Sequence, residues 1–161
     1  MAGRIEARLA ELGIVVPTPP TAVANYVPYV VSGKLVFVAG QVPFVDGRIA
    51  YTGKCGAAGT PGAGASLEHA VASARTCFLN ILAQLKAATG GDLDRIARLV
   101  QFRGFVACTP DFLDHPKVIN GASDLAVQIF GEAGRHARAA VGVTSLPGDS
   151  TTEIEAVAEL A

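Results

Sequence analysis

Ala137-Arg138-Ala139-Ala140-Val141-Gly142-Val143, followed after Leu146-Pro147-Gly148-Asp149 by Thr152-Glu153-Ile154-Glu155-Ala156-Val157-Ala158-Glu159-Leu160, closes the chain with two alternating stretches. Side chains of a strand point to opposite faces at successive residues, so Arg138, Ala140 and Gly142 share one face of the first stretch. Ala137, Ala139, Val141 and Val143 share the other. In the second, Glu153 and Glu155 face one side while Ile154, Ala156, Ala158 and Leu160 face the other, the pattern of a half-buried strand. Both stretches read as strands, Ala137 to Thr144 and Thr152 to Leu160, joined by the Leu-Pro-Gly-Asp turn. A simple hairpin register between them sets Glu153 nearer Gly142 than Arg138.

Before these strands, Pro116 opens a helix whose apolar stripe is Val118, Ala122, Leu125, Ala126, Ile129 and Phe130, stopped by Gly131. Leu99 to Cys108, with β-branched and aromatic residues at both parities, reads as a central strand broken by Thr109-Pro110. A longer helix runs from Ser66 with Ala70, Ala74, Cys77, Ile81, Leu85 and Ala88 near one stripe and ends at Gly90-Gly91. Gly53 to Ala65 holds five glycines and a proline and reads as a loop; it lacks the Gly-Lys-Ser/Thr ending of a phosphate-binding loop. A short strand is expected over Arg48 to Tyr51. Val27 to Val31 and Leu35 to Ala39 form a hairpin about Ser32-Gly33. A short helix over Arg4 to Leu12, carrying Ile5, Leu9 and Leu12 and stopped by Gly13, precedes the extended linker of Pro17, Pro19 and Pro20. Helices inserted between strands, with hairpins at both ends, give an α+β fold: a mixed sheet with two main helices on one face and a short N-terminal helix. One domain is expected over 1–161, with residues 1–20 as helix and linker and 21–161 as core.

Half of the 161 residues are apolar, enough for a core without disulfide or metal staples. Thirteen Lys and Arg against fourteen Asp and Glu leave a net charge of -1, with no basic run to track a nucleic acid backbone. No apolar run approaches the roughly 18 residues that span a bilayer, and the charged start lacks the apolar core of a secretory signal, so the expected address is cytoplasmic. Cys55, Cys77 and Cys108 are far apart without Cys-x-x-Cys spacing, and His69, His115 and His136 are equally isolated, so reduced thiols and no metal or other cofactor are expected. Cys77, on an apolar helical stripe, is expected to act as a small hydrophobe.

Arg138 is the most informative single residue. A guanidinium beside two small residues has room next to it, and its planar fork can hold a small carboxylate through two hydrogen bonds. The plainer alternative pairs Arg138 with a carboxylate on a neighbouring strand, an arrangement worth about 0 to 1 kcal/mol when exposed.

Pro28-Tyr29-Val30, Ala39-Gly40-Gln41-Val42-Pro43, Val118-Ile119-Asn120 and the closing run from Ala137-Arg138 through Leu146-Pro147 to Glu153-Ile154-Glu155-Ala156 occur in an order that resembles the Rid or YjgF family of reactive-intermediate deaminases, also called endoribonuclease L-PSP-like. The resemblance covers roughly Tyr26 to Leu160. It implies a chorismate-mutase-like fold, a homotrimer with clefts between subunits, and cofactor-independent hydrolysis of 2-imino acids to 2-keto acids and ammonia. By the same resemblance Arg138 grips the substrate carboxylate and Glu153 orients or activates water. Tyr29, Gly40 and Asn120 complete the pocket, with Tyr29 supplied by the same or the adjacent subunit. Ala140 departs from the cysteine usual in the best-known branch two residues beyond the arginine. That departure, with the longer N-terminus and the Gly-rich loop, keeps open a non-catalytic trimer that binds small carboxylates. The ribonuclease of the alternative family name is disfavoured by the near-neutral charge and the scarcity of stacking aromatics.

Overall fold

The computed structural model describes residues 3–161. In α1 (Arg4–Glu11) the buried Ile5 and Leu9 stand one turn apart. Gly3 at the N-cap has no side chain to offer, and Asp94, from the turn Leu93–Arg95, accepts from the Arg4 and Ile5 amides at 2.6 and 3.0 Å instead. The proline linker then leads to the hairpin of β1 (Tyr29–Ser32) and β2 (Leu35–Gln41), whose turn is closed by Gly33 at φ 59°. The short β3 (Phe44–Val45) and β4 (Arg48–Ile49) pair about Asp46-Gly47. The glycine-rich stretch contains a small parallel pair, β5 (Lys54–Cys55) and β6 (Ala63–Ala65). Asp111 holds the loop between them, accepting from the Ala57 amide and the Thr60 hydroxyl.

Helix α2 (Leu67–Ala88) starts where Ser66 Oγ accepts from the His69 amide, and α3 (His115–Phe130) carries Pro116 in its first turn. Both pack on one face of a five-stranded sheet in the order β1-β2-β9-β7-β8, completed by β7 (Ile96–Ala107), β8 (Ala137–Val143) and β9 (Thr152–Leu160). The core lies between them, with Val36, Val38, Phe102, Val106, Ile154, Ala156 and Ala158 of the sheet against Ala74, Phe78, Ile81, Ile119 and Leu125 of the helices. Cys77 is in that core as its stripe predicted, and burial pushes its thiol up to about 12. Among the described residues no helix is long and apolar enough to cross a membrane.

The terminal hairpin expected from the sequence does not form. β9 runs antiparallel between β2 and β7, and β8 lies on the far side of β7, parallel to it at the sheet edge. The physical reason is the long connection through α3: a helical crossover returns the chain in the parallel direction. β9 rather than β7 is therefore the middle strand.

Close helix packing depends on Gly121, where a Cβ would strike the Val71 carbonyl, with its carbon at 3.0 Å. Gly121→Ala is expected to cost about 1–3 kcal/mol, as overpacking does. Chemical denaturation measures this, and an unchanged midpoint would show that the α2–α3 spacing is not set at this glycine.

Candidate functional site

Two groups of polar residues stand out, one on each face of the sheet. Arg138 pairs in register with Phe102, whose ring is buried under the helices, so its side chain leaves the edge strand on the helix side. There Arg138 Nη1 donates to Asn120 Oδ1 at 2.7 Å and to Ser123 Oγ at 3.1 Å, both on α3. It pairs with no carboxylate among the described residues, against the plainer expectation for this residue. Nε and Nη2 have no partner among the described residues, which leaves the outer edge of the fork free for two parallel bonds to a carboxylate.

His136 supports this cradle. Its Nδ1 lies 2.7 Å from the Gly134 carbonyl, which can only accept, so Nδ1 carries the proton and Nε2 is an acceptor. Ser123 therefore donates to His136 Nε2 at 3.0 Å and keeps an oxygen lone pair for Arg138. Burial lowers the imidazole pKa, the Gly134 hydrogen bond opposes that, and the Arg138 charge adds to the lowering, so His136 is neutral at neutral pH. The ring stacks on Phe102 at 3.7 Å between centroids. Ala140, two residues along the same face, packs against the core.

Glu153 lies on the opposite face. It is in register with Phe105 of β7, one position off the parity of Phe102, and β7 separates its strand from that of Arg138. Its carboxyl is half-buried in a cleft of about 420 Å³ shared with Tyr26, Pro28, Gly40, Val42, Phe44 and Ile49. Burial raises its pKa above the ordinary carboxylate range, and the neighbouring Glu155 charge adds to the rise. Glu155 itself is tied to Arg103 at 3.1 Å. Gly40 sits at the bulge between Val38 and Gln41, and a Cβ there would collide with Glu153 Oε1, so any larger residue would displace the carboxylate from this position.

The residues singled out from the sequence thus fall into two sets. Arg138, Asn120 and Ala140 gather at the β8–α3 edge, and Gly40 and Glu153 gather in the cleft on the other face. Tyr29 joins neither: it pairs with Val38 and packs on the core. Tyr26, which sequence reasoning missed, lines the cleft instead, because the chain bends over Val23 to Tyr26 before the strand begins. The fold also brings together residues isolated in sequence: Cys108 Sγ is 3.5 Å from His115 Nε2, and Cys55 bridges Cys108 across the backbone. Burial raises both thiols, Cys55 to about 11, so neither is an ionised nucleophile at neutral pH.

Residues 6–160 match a family described as "YjgF/chorismate mutase-like, putative endoribonuclease". The chain is 44% identical to "Protein TCP17" of Trypanosoma cruzi over 98% of its own length and 95% of that protein. A crystal structure of the protein Atu1372, of unknown function, from Agrobacterium tumefaciens superposes with a TM-score of 0.88 at 46% identity, covering 98% of this chain and 93% of that one. A "putative endoribonuclease" from Shewanella oneidensis MR-1 superposes with a TM-score of 0.88 at 35% identity, covering 97% of this chain and 99% of that one.

Proposed function

From the premise that this chain belongs to the YjgF/chorismate mutase-like family, we propose that it hydrolyses small 2-imino acids, or their enamine tautomers, to 2-keto acids and ammonia in clefts between subunits of a homotrimer. One observation carries the proposal: Arg138 with a free fork edge and Glu153 with a raised pKa occupy opposite faces of one sheet. Adjacent strands are about 4.8 Å apart, so two strands and a change of face put both beyond reach of one small ligand within a single chain. A neighbouring copy that lays its β8 edge against the Glu153 cleft completes the set. The free sheet face also exposes apolar side chains, with Val30, Phe37 and Val141 each between 44% and 51% accessible, which suits burial in an assembly.

The chemistry needs only water and protons. The outer edge of Arg138 fixes the substrate carboxylate, which places the imine carbon over the cleft. Glu153 as carboxylate takes a proton from water while the water oxygen bonds to that carbon and the C=N electrons move to the protonated nitrogen. The resulting carbinolamine loses ammonia as Glu153 returns the proton to nitrogen; Glu153, a carboxylate again, then takes the hydroxyl proton as that oxygen becomes the keto group and passes it to the departing ammonia, which leaves as ammonium. Gly40 leaves room for the carboxylate to swing between water and nitrogen, and Tyr26 closes the cleft.

The test generates 2-iminopropionate in situ and follows keto-acid release over the solvent rate. Subunit sharing has its own test, because Arg138→Ala and Glu153→Gln chains, each expected to keep at most about a hundredth of the activity, are complementary. In trimers refolded from an equal mixture about three quarters are mixed, each with one intact cleft in three, so about a quarter of wild-type activity returns. No recovery would place the site within one chain. Binding of 2-keto acids without turnover of any imine would leave the non-catalytic carboxylate binder, and RNA cleavage dependent on Glu153 would favour the ribonuclease.

A further inference from the structure

The shape of the cleft beside Glu153 bears on which imines enter it. Its volume of about 420 Å³ is well above the roughly 150 Å³ that accommodates a benzene molecule in a protein interior. Tyr26, Pro28, Val42, Phe44, Ile49 and Pro147 supply most of its walls, Thr21 and Gln41 are the polar residues beside Glu153, and no Lys, Arg or His lines it. Part of that volume is left for a substrate side chain once the reacting carbon and a water are placed, and it is bounded mostly by hydrocarbon.

The walls are also fixed. Asn80 and Gln84 stand one turn apart on α2 and are each 1% exposed, polar residues in an otherwise apolar stretch of helix. Asn80 Nδ2 donates to the Val42 and Phe44 carbonyls at 3.0 and 3.1 Å, and Gln84 Nε2 donates to the Pro20 carbonyl at 2.7 Å. These bonds hold the β2–β3 connection on one side of the cleft and the proline linker on the other. Ile49 packs over Gly148, its Cδ1 filling the space where a Cβ there would sit. A cavity with pinned walls does not collapse around a small ligand, so a methyl group leaves it largely wet while a larger apolar group fills it.

Resting on the imine hydrolase proposed above, we infer that this cleft is a side-chain pocket for branched or aromatic groups, making the preferred substrates 2-imino acids with large apolar side chains. Each added methylene in such a pocket discriminates by about tenfold or more. Leucine- and phenylalanine-derived imines are therefore expected to exceed the alanine-derived imine in kcat/KM by at least about tenfold. The measurement uses an amino acid oxidase to generate each imine and follows its enzymatic disappearance. Val42→Phe, which fills the pocket, is expected to bring the leucine-to-alanine ratio down toward one. A best rate with the alanine- or arginine-derived imine, or a ratio untouched by Val42→Phe, overturns the inference. If no imine is turned over, the hydrolase reading fails and the pocket is judged separately by calorimetry with pyruvate, 4-methyl-2-oxopentanoate and phenylpyruvate. Tighter binding of the two larger keto acids supports the pocket, and equal or weaker binding sinks it.

Discussion

Arg138→Ala is expected to weaken 2-keto acid binding by a hundredfold or more, about 3 kcal/mol, and to remove imine turnover without unfolding the protein. Hydrogen bonds to charged groups contribute about 1.5–3 kcal/mol each, and the free Nε–Nη2 edge can make two of them to one carboxylate. The fold should tolerate the change, since the side chain is exposed and its protein bonds are confined to Asn120 and Ser123. Arg138→Lys is the informative control. It retains the charge but loses the fork, so binding should return only in part. Calorimetry with pyruvate and thermal melts of both variants separate the possibilities: unaltered binding in Arg138→Ala would remove the carboxylate clamp from the mechanism.

The sequence exposed the elements of this site more readily than their arrangement. The stripes of α2 and α3 and the alternation of β9 are local patterns, and the structure places those helices and that strand where the patterns predicted. The faces of β8 were also legible, with Arg138, Ala140 and Gly142 together. Strand order is a property of the whole chain. β8 and β9 are consecutive and joined by a short turn, Pro147–Asp149, yet β7 lies between them. The α3 crossover already implied that β8 runs parallel to β7, a rule available from the sequence. What no local pattern held was the insertion of β9 between two strands distant in sequence, and with it the fact that Arg138 and Glu153 face opposite ways. Tyr26 was hidden for a related reason: alternation cannot describe a bent segment, and the family resemblance singled out Tyr29, which lies in the strand. At Gly40 the motif marked the position, and only the packing of Glu153 against it supplies the cause.

Glu153→Gln should separate activity from stability. Turnover is expected to fall by about a hundredfold to ten-thousandfold, the usual contribution of a positioned acid–base group, while 2-keto acid binding through Arg138 persists. In the wild type the working form is the carboxylate, so the rate falls as pH drops through a pKa raised above the ordinary carboxylate range, and this acidic limb should vanish from the residual activity of the glutamine variant. Stability moves the other way. Burial first, and the Glu155 charge second, raise the folded-state pKa, so the folded chain holds the Glu153 proton more tightly than the unfolded chain does. The corresponding stability is fully present below the unfolded pKa and is lost as pH rises through the folded one. At neutral pH the folded protein therefore carries a half-buried charge that the unfolded chain would hydrate better. Glutamine removes that charge, so the variant should melt at a higher temperature than the wild type at pH 7, and the difference should shrink as the pH is lowered into the range where Glu153 is protonated in both states. A residue retained only for structure would give the opposite result, with loss of stability accompanying loss of activity. Melting curves and pH–rate profiles of the two proteins, measured in the same buffers, distinguish a carboxylate kept for its chemistry from one kept for its packing.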